Sequence, residues 1–255
     1  LNQADIVYEI VVEGGETRLM AVFKGKNVDK IGPVRSSRHY FLDYALENDA
    51  IYVHYGWSPQ AESDIGTLGV NNINGISESS SSFWRTKDKS APHNVATSTK
   101  KILEIAKRKD YATTSTKKSV LNYVVDDVKL ENGEKADEIT IPYSNSNVVK
   151  YTYDSDTGRY QRYSKGIEET DWTTKEKVTT KNIIITFARN ATINDGENKG
   201  RQTLYNTGTL DGYYITNGRA IKITCEKSSR SSQTVYKDLE GNEIKVNDGN
   251  TFVQI

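Results

Sequence analysis

Residues 5–12 read DIVYEIVV, and the even-numbered positions of this stretch are all apolar: Ile6, Tyr8, Ile10 and Val12. An apolar side chain at every second position is typical of a β-strand with one face buried in a core. Gly14 and Gly15 follow, and a second strand-like run extends from Thr17 to Phe23. Two such runs joined by a glycine turn predict a β-hairpin.

Beyond this hairpin, the first half of the chain combines helix and strand signals. Serines precede the segments with apolar periodicity, as N-cap residues do, and Pro59 suits the first turn of a helix. The predicted elements are a helix from Ser36 or Ser37 to about Asn48, a strand at residues 50–55, a helix capped by Ser58, a loop at residues 67–82 and a helix from Thr97 to about Lys109. This mixture predicts an N-terminal α/β domain with a mixed sheet and about three helices.

The second half consists of short runs rich in Tyr, Val, Ile and Thr, separated by turn dipeptides such as Asn217-Gly218. Such punctuation predicts an antiparallel, β-rich C-terminal domain. The predicted strands are residues 148–153, 159–163, 182–188, 212–216, 219–226, 234–237, 243–246 and 251–255. The polar segment 129–137 is the best boundary, so we divide the chain into residues 1–136 and 137–255. The fold class predicted for the whole sequence is α+β.

Composition excludes several classes of function. Among the 255 residues, 34 basic and 34 acidic side chains balance to a net charge of zero, whereas a nucleic-acid-binding protein needs a basic face. The single cysteine, Cys225, cannot form an internal disulfide or a thiolate zinc site. No apolar run approaches the roughly 20 residues of a membrane-spanning helix, and nucleotide-binding and His-Glu-x-x-His motifs are absent. We therefore expect no cofactor, no metal ion and no nucleic-acid partner.

Two local motifs have a functional and a structural interpretation. Residues 98–101, Ser-Thr-Lys-Lys, match the Ser-x-x-Lys pattern of penicillin-recognising enzymes, but the companion Ser-Asp-Asn and Lys-Thr-Gly motifs are absent. Residues 154–158, Asp-Ser-Asp-Thr-Gly, resemble a calcium loop, but they lack the third ligand and the distal Glu of an EF-hand. We interpret the first as an ordinary helix start and the second as a hairpin turn.

Carboxylates and histidines supply the candidate catalytic groups. Glu9 and Glu13 are four positions apart on the first strand, which separates them by about 13 Å. The paired carboxyl groups of glycosidases lie at most about 9.5 Å apart, so either glutamate would need a partner from elsewhere in the fold. His54 and His93 are the histidines considered for proton transfer, which makes these four residues the catalytic candidates.

Residues 32–38, Gly-Pro-Val-Arg-Ser-Ser-Arg, form the most distinctive cluster. Arg35 and Arg38 at the start of the predicted helix would combine fixed positive charge with free N–H groups, which suits a carboxylate or a phosphate. The alternative is that both arginines pair with internal acids: Glu9, Glu13 or Asp43. Trp57 and Trp84 neighbour polar segments, as aromatic side chains of a glycan or peptide groove do, or they fill the core.

Several stretches along the whole chain resemble the YerB-like lipoproteins of Gram-positive bacteria. They are residues 1–9, Glu13-Gly14-Gly15 with Thr17-Arg18, residues 31–38, residues 50–54, Phe83-Trp84-Arg85, residues 91–94, Tyr160-x-Arg162 and Ile221-Lys222-Ile223. The resemblance implies an N-terminal domain and a β-rich C-terminal domain, secreted through a lipoprotein signal and tethered outside the membrane by an acylated cysteine. We expect that signal, that cysteine and one further strand to precede Leu1. The family carries no established activity.

Three functions are weighed. The first is a non-enzymatic binding lipoprotein whose N-terminal domain takes an anionic cell-wall component or a partner protein. The second is a cell-envelope hydrolase in which Glu9 or Glu13 acts as general base, and the third is a purely structural role. The predicted ligand-binding residues are Arg35, Ser36, Ser37, Arg38, His54, Trp57, Arg85, His93 and Asn94.

Overall fold

The first predicted strand is Ile6–Val11 in the computed structural model, which describes all residues from Leu1 to Ile255. It pairs antiparallel with Thr17–Val22, so the hairpin prediction is confirmed. The strand is buried on both faces rather than on one, since Val7 and Glu9 are 0% and 1% exposed. The face expected to be solvated is covered because Val7 packs into a core shared with a second sheet.

Three helices and many short strands confirm the α+β class. The helices are α1 Phe41–Glu47, α2 Pro59–Thr67 and α3 Thr99–Arg108. The strands are β1 Ile6–Val11, β2 Thr17–Val22, β3 Tyr52–His54, β4 Asn72–Asn74, β5 Trp84–Arg85, β6 Val95–Ala96, β7 Tyr123–Val124, β8 Glu134–Lys135, β9 Glu138–Ser144, β10 Asn147–Asp154, β11 Arg159–Ser164, β12 Ile167–Glu168, β13 Thr179–Thr180, β14 Asn182–Thr186, β15 Arg189–Thr192, β16 Gln202–Tyr205, β17 Gly208–Thr216, β18 Arg219–Lys227, β19 Val235–Lys237, β20 Val246–Asn247 and β21 Thr251–Gln254. No helix is long and apolar enough to cross a membrane.

The chain forms two compact units, each assembled from separate stretches of sequence. The first unit contains residues 1–24, 119–229 and 233–255, and the second contains residues 25–118 and 230–232. This division differs from a single cut at residue 136. The physical reason is that β1, near the N-terminus, pairs in parallel with β21, near the C-terminus, within the same sheet.

Two sheets build the first unit. The larger has the order β19-β18-β17-β14-β21-β1-β2, with β8 beside β18, and its consecutive strands β14, β21 and β1 run parallel. The smaller is antiparallel, with the order β12-β11-β10-β9 and β13 beside β11. Their facing sides share one core, in which Ile183 and Phe252 of the larger sheet join Tyr151 and Tyr160 of the smaller.

The strand predictions for the second half match β10, β11, β14, β17, β18, β19 and β21, with shifted ends. Strand β9 was not predicted because Pro142 interrupts its apolar pattern. Proline is tolerated on an edge strand, which needs no donor on its open side, and β9 is an edge of the smaller sheet. The run at residues 243–246 contributes only the short strand β20, which begins at Val246.

An extended segment, residues 31–37, lies at the centre of the second unit. Its Val34 N–H donates to the carbonyl of Val95 at 2.8 Å, and its Arg35 carbonyl accepts from the Tyr55 N–H at 2.9 Å. The segment therefore lies between β6 and the residues that follow β3. Beside it, helix α3 contributes Ile105 to a core that also contains Val95.

The predicted start of the first helix at Ser36 or Ser37 is wrong. Helix α1 begins at Phe41, and Tyr40, its N-cap residue, makes no side-chain capping bond. The serines belong instead to the extended segment, where the Ser37 N–H donates to the Gly56 carbonyl at 2.9 Å. Long-range backbone pairing has overridden a local capping signal.

The second helix begins as predicted, and the third begins at Thr99, two residues later than the predicted Thr97. The Ser58 side chain caps α2 by accepting from the Ala61 N–H at 3.3 Å, and Pro59 is the first residue of that helix. Ser98 caps α3 by accepting from the Lys101 N–H at 3.3 Å. The segment 67–82, predicted as a loop, also contains β4 and a short 3-10 turn.

Candidate functional site

The candidate site lies in the second unit, where the extended segment places Arg35. The guanidinium Nη1 of Arg35 is 2.7 Å from Nδ1 of His93. Because a guanidinium can only donate, Nδ1 is the acceptor and the proton of the neutral ring lies on Nε2. Arg35 is half-buried and His93 is exposed. The structure therefore brings together two predicted ligand-binding residues that are 58 positions apart in the sequence.

Arg85 is held by Asn94, the residue that follows His93. Its Nη1 donates to Oδ1 of Asn94 at 2.7 Å, and its Cζ lies 5.8 Å from the centre of the Tyr55 ring. Asn94 is 8% exposed and is fixed through its Nδ2, which donates to the Thr86 carbonyl at 3.1 Å. Consecutive residues of one loop thus orient Arg35 and Arg85, which we call the arginine pair.

Arg38 occupies a different environment from Arg35. It is only 6% exposed, and its Nη1 donates to the Ser37 carbonyl at 2.8 Å and to Oγ of Ser36 at 3.4 Å. These contacts are local and lie before helix α1 rather than at a capped helix start. The prediction that Arg35 and Arg38 lie at the start of a helix is therefore wrong, because α1 begins at Phe41; that both bind a ligand stays a prediction.

His54 is a buried, hydrogen-bonded side chain of β3. It is 1% exposed, with Nδ1 at 2.9 Å from the Gly56 carbonyl and Nε2 at 3.1 Å from Oδ1 of Asn72. Its ring lies 5.3 Å from that of Tyr52 and 5.5 Å from that of Trp57, centre to centre. Burial lowers the pKa of His54, which favours the neutral ring. These contacts describe a structural residue that holds Trp57 beside it.

Glu9, a candidate general base, is neutralised inside the first unit. Nη2 of Arg162 donates to its two carboxylate oxygens at 2.8 and 2.7 Å. Oγ1 of Thr17 adds a bond of 2.7 Å and Nε2 of Gln254 one of 3.1 Å. The two carboxylate oxygens therefore accept four hydrogen bonds from within the protein.

The acids considered as partners of Arg35 and Arg38 have other arginines beside them. Glu9 is paired with Arg162, and Glu13 lies 3.9 Å from Arg18. Arg162 was missed by the sequence reasoning, although its spacing from Tyr160 contained a usable signal. Because Tyr160 faces the core, the residue two positions later on the same strand does so as well.

Arg230 is the second arginine, after Arg162, whose buried contacts the sequence reasoning did not predict. Its Nε donates to Oδ1 of Asp43 at 2.7 Å, its Nη1 to Oδ2 of Asp64 at 2.6 Å and its Nη2 to the His39 carbonyl at 2.9 Å. Burial, aided by Arg230, lowers the pKa of His39 to about 4. Arg230 lies in a serine-rich run with no periodic pattern, so nothing in the sequence pointed to this cluster.

The two motifs with an alternative functional interpretation have structural roles. The Ser98 side chain is engaged as the cap of α3. In the turn after β10, the Asp154 carboxylate accepts from the Asp156 N–H at 3.0 Å and from the Thr157 hydroxyl at 2.9 Å. No three His, Cys, Asp or Glu side chains come together as a metal-binding group. Guanidinium groups such as those of the arginine pair are suited to carboxylate and phosphate oxygens.

Comparison with known proteins finds two domain models of one family along the chain. Residues 1–112 match the N-terminal domain, and residues 139–253 the C-terminal domain, of the protein of unknown function DUF3048. The chain is 31% identical to "Putative lipoprotein YerB" of Bacillus subtilis over 252 residues, which are 98% of this chain and 71% of that protein. The crystal structure of the YerB protein from Bacillus subtilis superimposes with a TM-score of 0.88 at 29% identity, covering 100% of this chain and 83% of that one.

Proposed function

The chain belongs to the DUF3048 family, and from that premise we propose that it is an extracytoplasmic, lipid-anchored protein that binds an anionic component of the cell envelope. The binding surface is the arginine pair together with His93. Similarity to a protein named as a lipoprotein supports the location. If the location is right, protease added to intact protoplasts digests the protein, and complete protection contradicts it.

The binding proposal rests on the two side chains that accept hydrogen bonds from the arginine pair. Arg35 donates to an imidazole nitrogen and Arg85 to an amide oxygen. These contacts fix the direction of each guanidinium from a side chain of the same loop. A guanidinium retains further N–H donors in a planar fork that matches carboxylate and phosphate oxygens.

The neighbouring side chains favour a ligand at the surface. Arg85 and His93 are exposed, while Asn94 beneath them is buried. Tyr55 lies under the Arg85 guanidinium and restricts its motion on that side. A ligand can therefore meet oriented cations and lose little side-chain entropy in doing so.

The test is a titration of the protein with oligomeric glycerol phosphate, as found in teichoic acids, and with soluble peptidoglycan fragments. We expect the combined substitution Arg35→Gln and Arg85→Gln to weaken binding at least tenfold without lowering the melting temperature. The affinity of the parent protein should also fall with added salt, since charge neutralisation drives the association.

Arg108→Gln is the control variant. Arg108 is an exposed arginine at the end of α3, in the same unit, and it pairs with Glu78. The substitution removes one positive charge, as each single substitution of the arginine pair does, and should change the affinity less than twofold. Absence of binding to both ligand classes, or equal losses in Arg108→Gln and in the double variant, would falsify the proposal.

The envelope-hydrolase alternative receives no support from the geometry of Glu9. Its carboxylate is 1% exposed and accepts bonds from Arg162, Thr17 and Gln254. A general base needs a lone pair within reach of a substrate proton. We therefore propose binding rather than catalysis.

A further inference from the structure

A second concave surface lies in the first unit, on the side of the smaller sheet that faces away from the core. It encloses about 400 Å³ and is lined by Asp154, Thr157, Arg159, Gln161, Tyr163, Lys177 and Thr179. We call it the outer cavity. It shares no residue with the arginine pair, so a ligand in the outer cavity is independent of anion binding by that pair.

Strand alternation explains why polar groups gather here. On β11, Tyr160 and Arg162 face the interior, so Arg159, Gln161 and Tyr163 face the opposite side. Their cross-strand neighbours complete the surface, since Asp154 is opposite Arg159 and Thr179 is opposite Gln161. Such a face is ordinarily solvated.

Gln161 departs from that expectation because it is only 9% exposed. Its Nε2 donates to the Arg162 carbonyl at 3.0 Å, which fixes the amide plane and leaves Oε1 as an acceptor with no protein partner. This oxygen is not itself buried, so water or a ligand in the cavity can donate to it. The floor of the outer cavity is therefore an oriented acceptor.

Arg159 forms a rigid wall beside this floor. Its Nε donates to Oγ1 of Thr179 at 2.9 Å, and its Nη2 donates to Oδ1 of Asn250. Burial lowers the pKa of Arg159, in keeping with a cation that has lost part of its hydration. The remaining N–H groups of the fork are oriented donors for an oxygen-rich ligand.

The rest of the lining adds a second cation, one carboxylate and one aromatic ring. Lys177 is 2.9 Å from Glu168, and Asp154 accepts from the Thr157 hydroxyl at 2.9 Å. The lining residues carry two positive charges and one negative charge, and Glu168 beside Lys177 balances one of the positive charges. Tyr163 supplies a ring of the kind against which the apolar side of a sugar packs.

We propose that the outer cavity binds an acidic saccharide, meaning a hydroxylated sugar ring that carries one carboxylate. The carboxylate pairs with Arg159 and Lys177, hydroxyl groups donate to Gln161 and Asp154, and the ring packs on Tyr163. The volume is at the lower end of the range for small-molecule sites, about 300–1,000 Å³, which suits one or two sugar rings.

The test is a titration of isotope-labelled protein, followed by NMR, with glucuronate, glucose and acetate in parallel. We expect glucuronate to shift the side-chain amide signals of Gln161 and the backbone signals of β11 in a saturable manner. Glucose should bind at least fivefold more weakly, and acetate should leave the Gln161 amide unshifted. No saturable shift with glucuronate, or an equal effect of acetate, overturns the proposal.

Variants of the lining separate a specific site from general charge. Lys177→Gln, at an exposed residue, and Gln161→Glu, which keeps the side-chain shape but adds a negative charge, should each weaken glucuronate binding at least fivefold. Lys150→Gln is the matched control, because Lys150 is opposite Tyr163 on β10 but does not line the cavity. Equal losses in Lys150→Gln and Lys177→Gln, or unchanged affinity in a folded Gln161→Glu protein, would show that the outer cavity is not the site.

Discussion

At the scale of single residues, Glu9 and Arg162 are opposite charges buried together, with 1% and 2% of their side chains exposed. Removing both from water costs free energy that their attraction and the bonds from Thr17 and Gln254 must offset. Substitution of one partner leaves the other charge buried without compensation. We expect Arg162→Met to lower the free energy of unfolding by about 3–5 kcal/mol, measured by urea denaturation.

Lys165, just after β11, pairs with Glu16, and the two side chains are 45% and 49% exposed, respectively. Lys165→Met is therefore the control. A pair in that setting contributes at most about 1 kcal/mol. The double substitution Glu9→Leu with Arg162→Met should recover part of the loss, since it removes both fully buried charges and leaves only Glu169, which is 25% exposed, without its arginine. If Arg162→Met is no more destabilising than Lys165→Met, the buried pair does not have the role assigned to it.

Sequence reasoning could single out Glu9 but could not identify its partner. An acid on a strand rich in Val and Ile is conspicuous, but alternation placed Glu9 on the face expected to be solvated, and it is 1% exposed. The partner lies 153 positions away, and that contact depends on how two sheets pack. Arg35 and Arg38 were the arginines considered as its partners, and neither is the arginine that pairs with it.

At the scale of elements, Ser98 fixes the start of α3 through a single side-chain bond to the Lys101 N–H. Loss of an N-cap leaves one amide of the first turn without its partner. We expect Ser98→Ala to destabilise the protein by about 1 kcal/mol and Ser98→Asp to be close to neutral, because Asp caps equally well. Thermal denaturation of the two variants compares them directly, and an equal loss in both would rule out capping as the cause.

Elements that depend on local signals were predicted, and elements that depend on distant partners were not. Helices α2 and α3 have a capping serine and need nothing else to define their starts. Helix α1 begins late because the serines before it pair with the chain near Gly56. Strand β9 contains Pro142 and is recognisable only as the edge of a sheet whose other strands are known.

At the scale of the whole molecule, the class of fold followed from the sequence, whereas the division into compact units did not. Turn dipeptides and alternation identify strands wherever they occur, and these suffice for an α+β prediction. They contain no information on which strand of one half pairs with which strand of the other. The candidate site shows the same limit: Arg35, Arg85, His93 and Asn94 were nominated together, but the pairing of each arginine was not predictable.

The stability of the first unit depends on β21, its last strand. Strand β21 lies between β1 and β14 and pairs in parallel with both, and Phe252 and Val253 are each 0% exposed. We expect Phe252→Gly combined with Val253→Gly to remove more than about 5 kcal/mol, which is comparable with the whole stability of a typical domain. Cooperative urea unfolding, followed by circular dichroism, should then be lost.

Phe252→Leu combined with Val253→Ile is the matched variant, because it keeps the apolar volume and the strand propensity at the same positions. Its cost should stay within about 2 kcal/mol, and its unfolding should remain cooperative. The glycine variant should in addition become sensitive to protease along β1 and β2, since β1 loses the partner that covers its inner edge. A glycine variant that resists protease there would mean that the N-terminal hairpin is held by the smaller sheet alone and that the parallel pairing of the chain ends is dispensable.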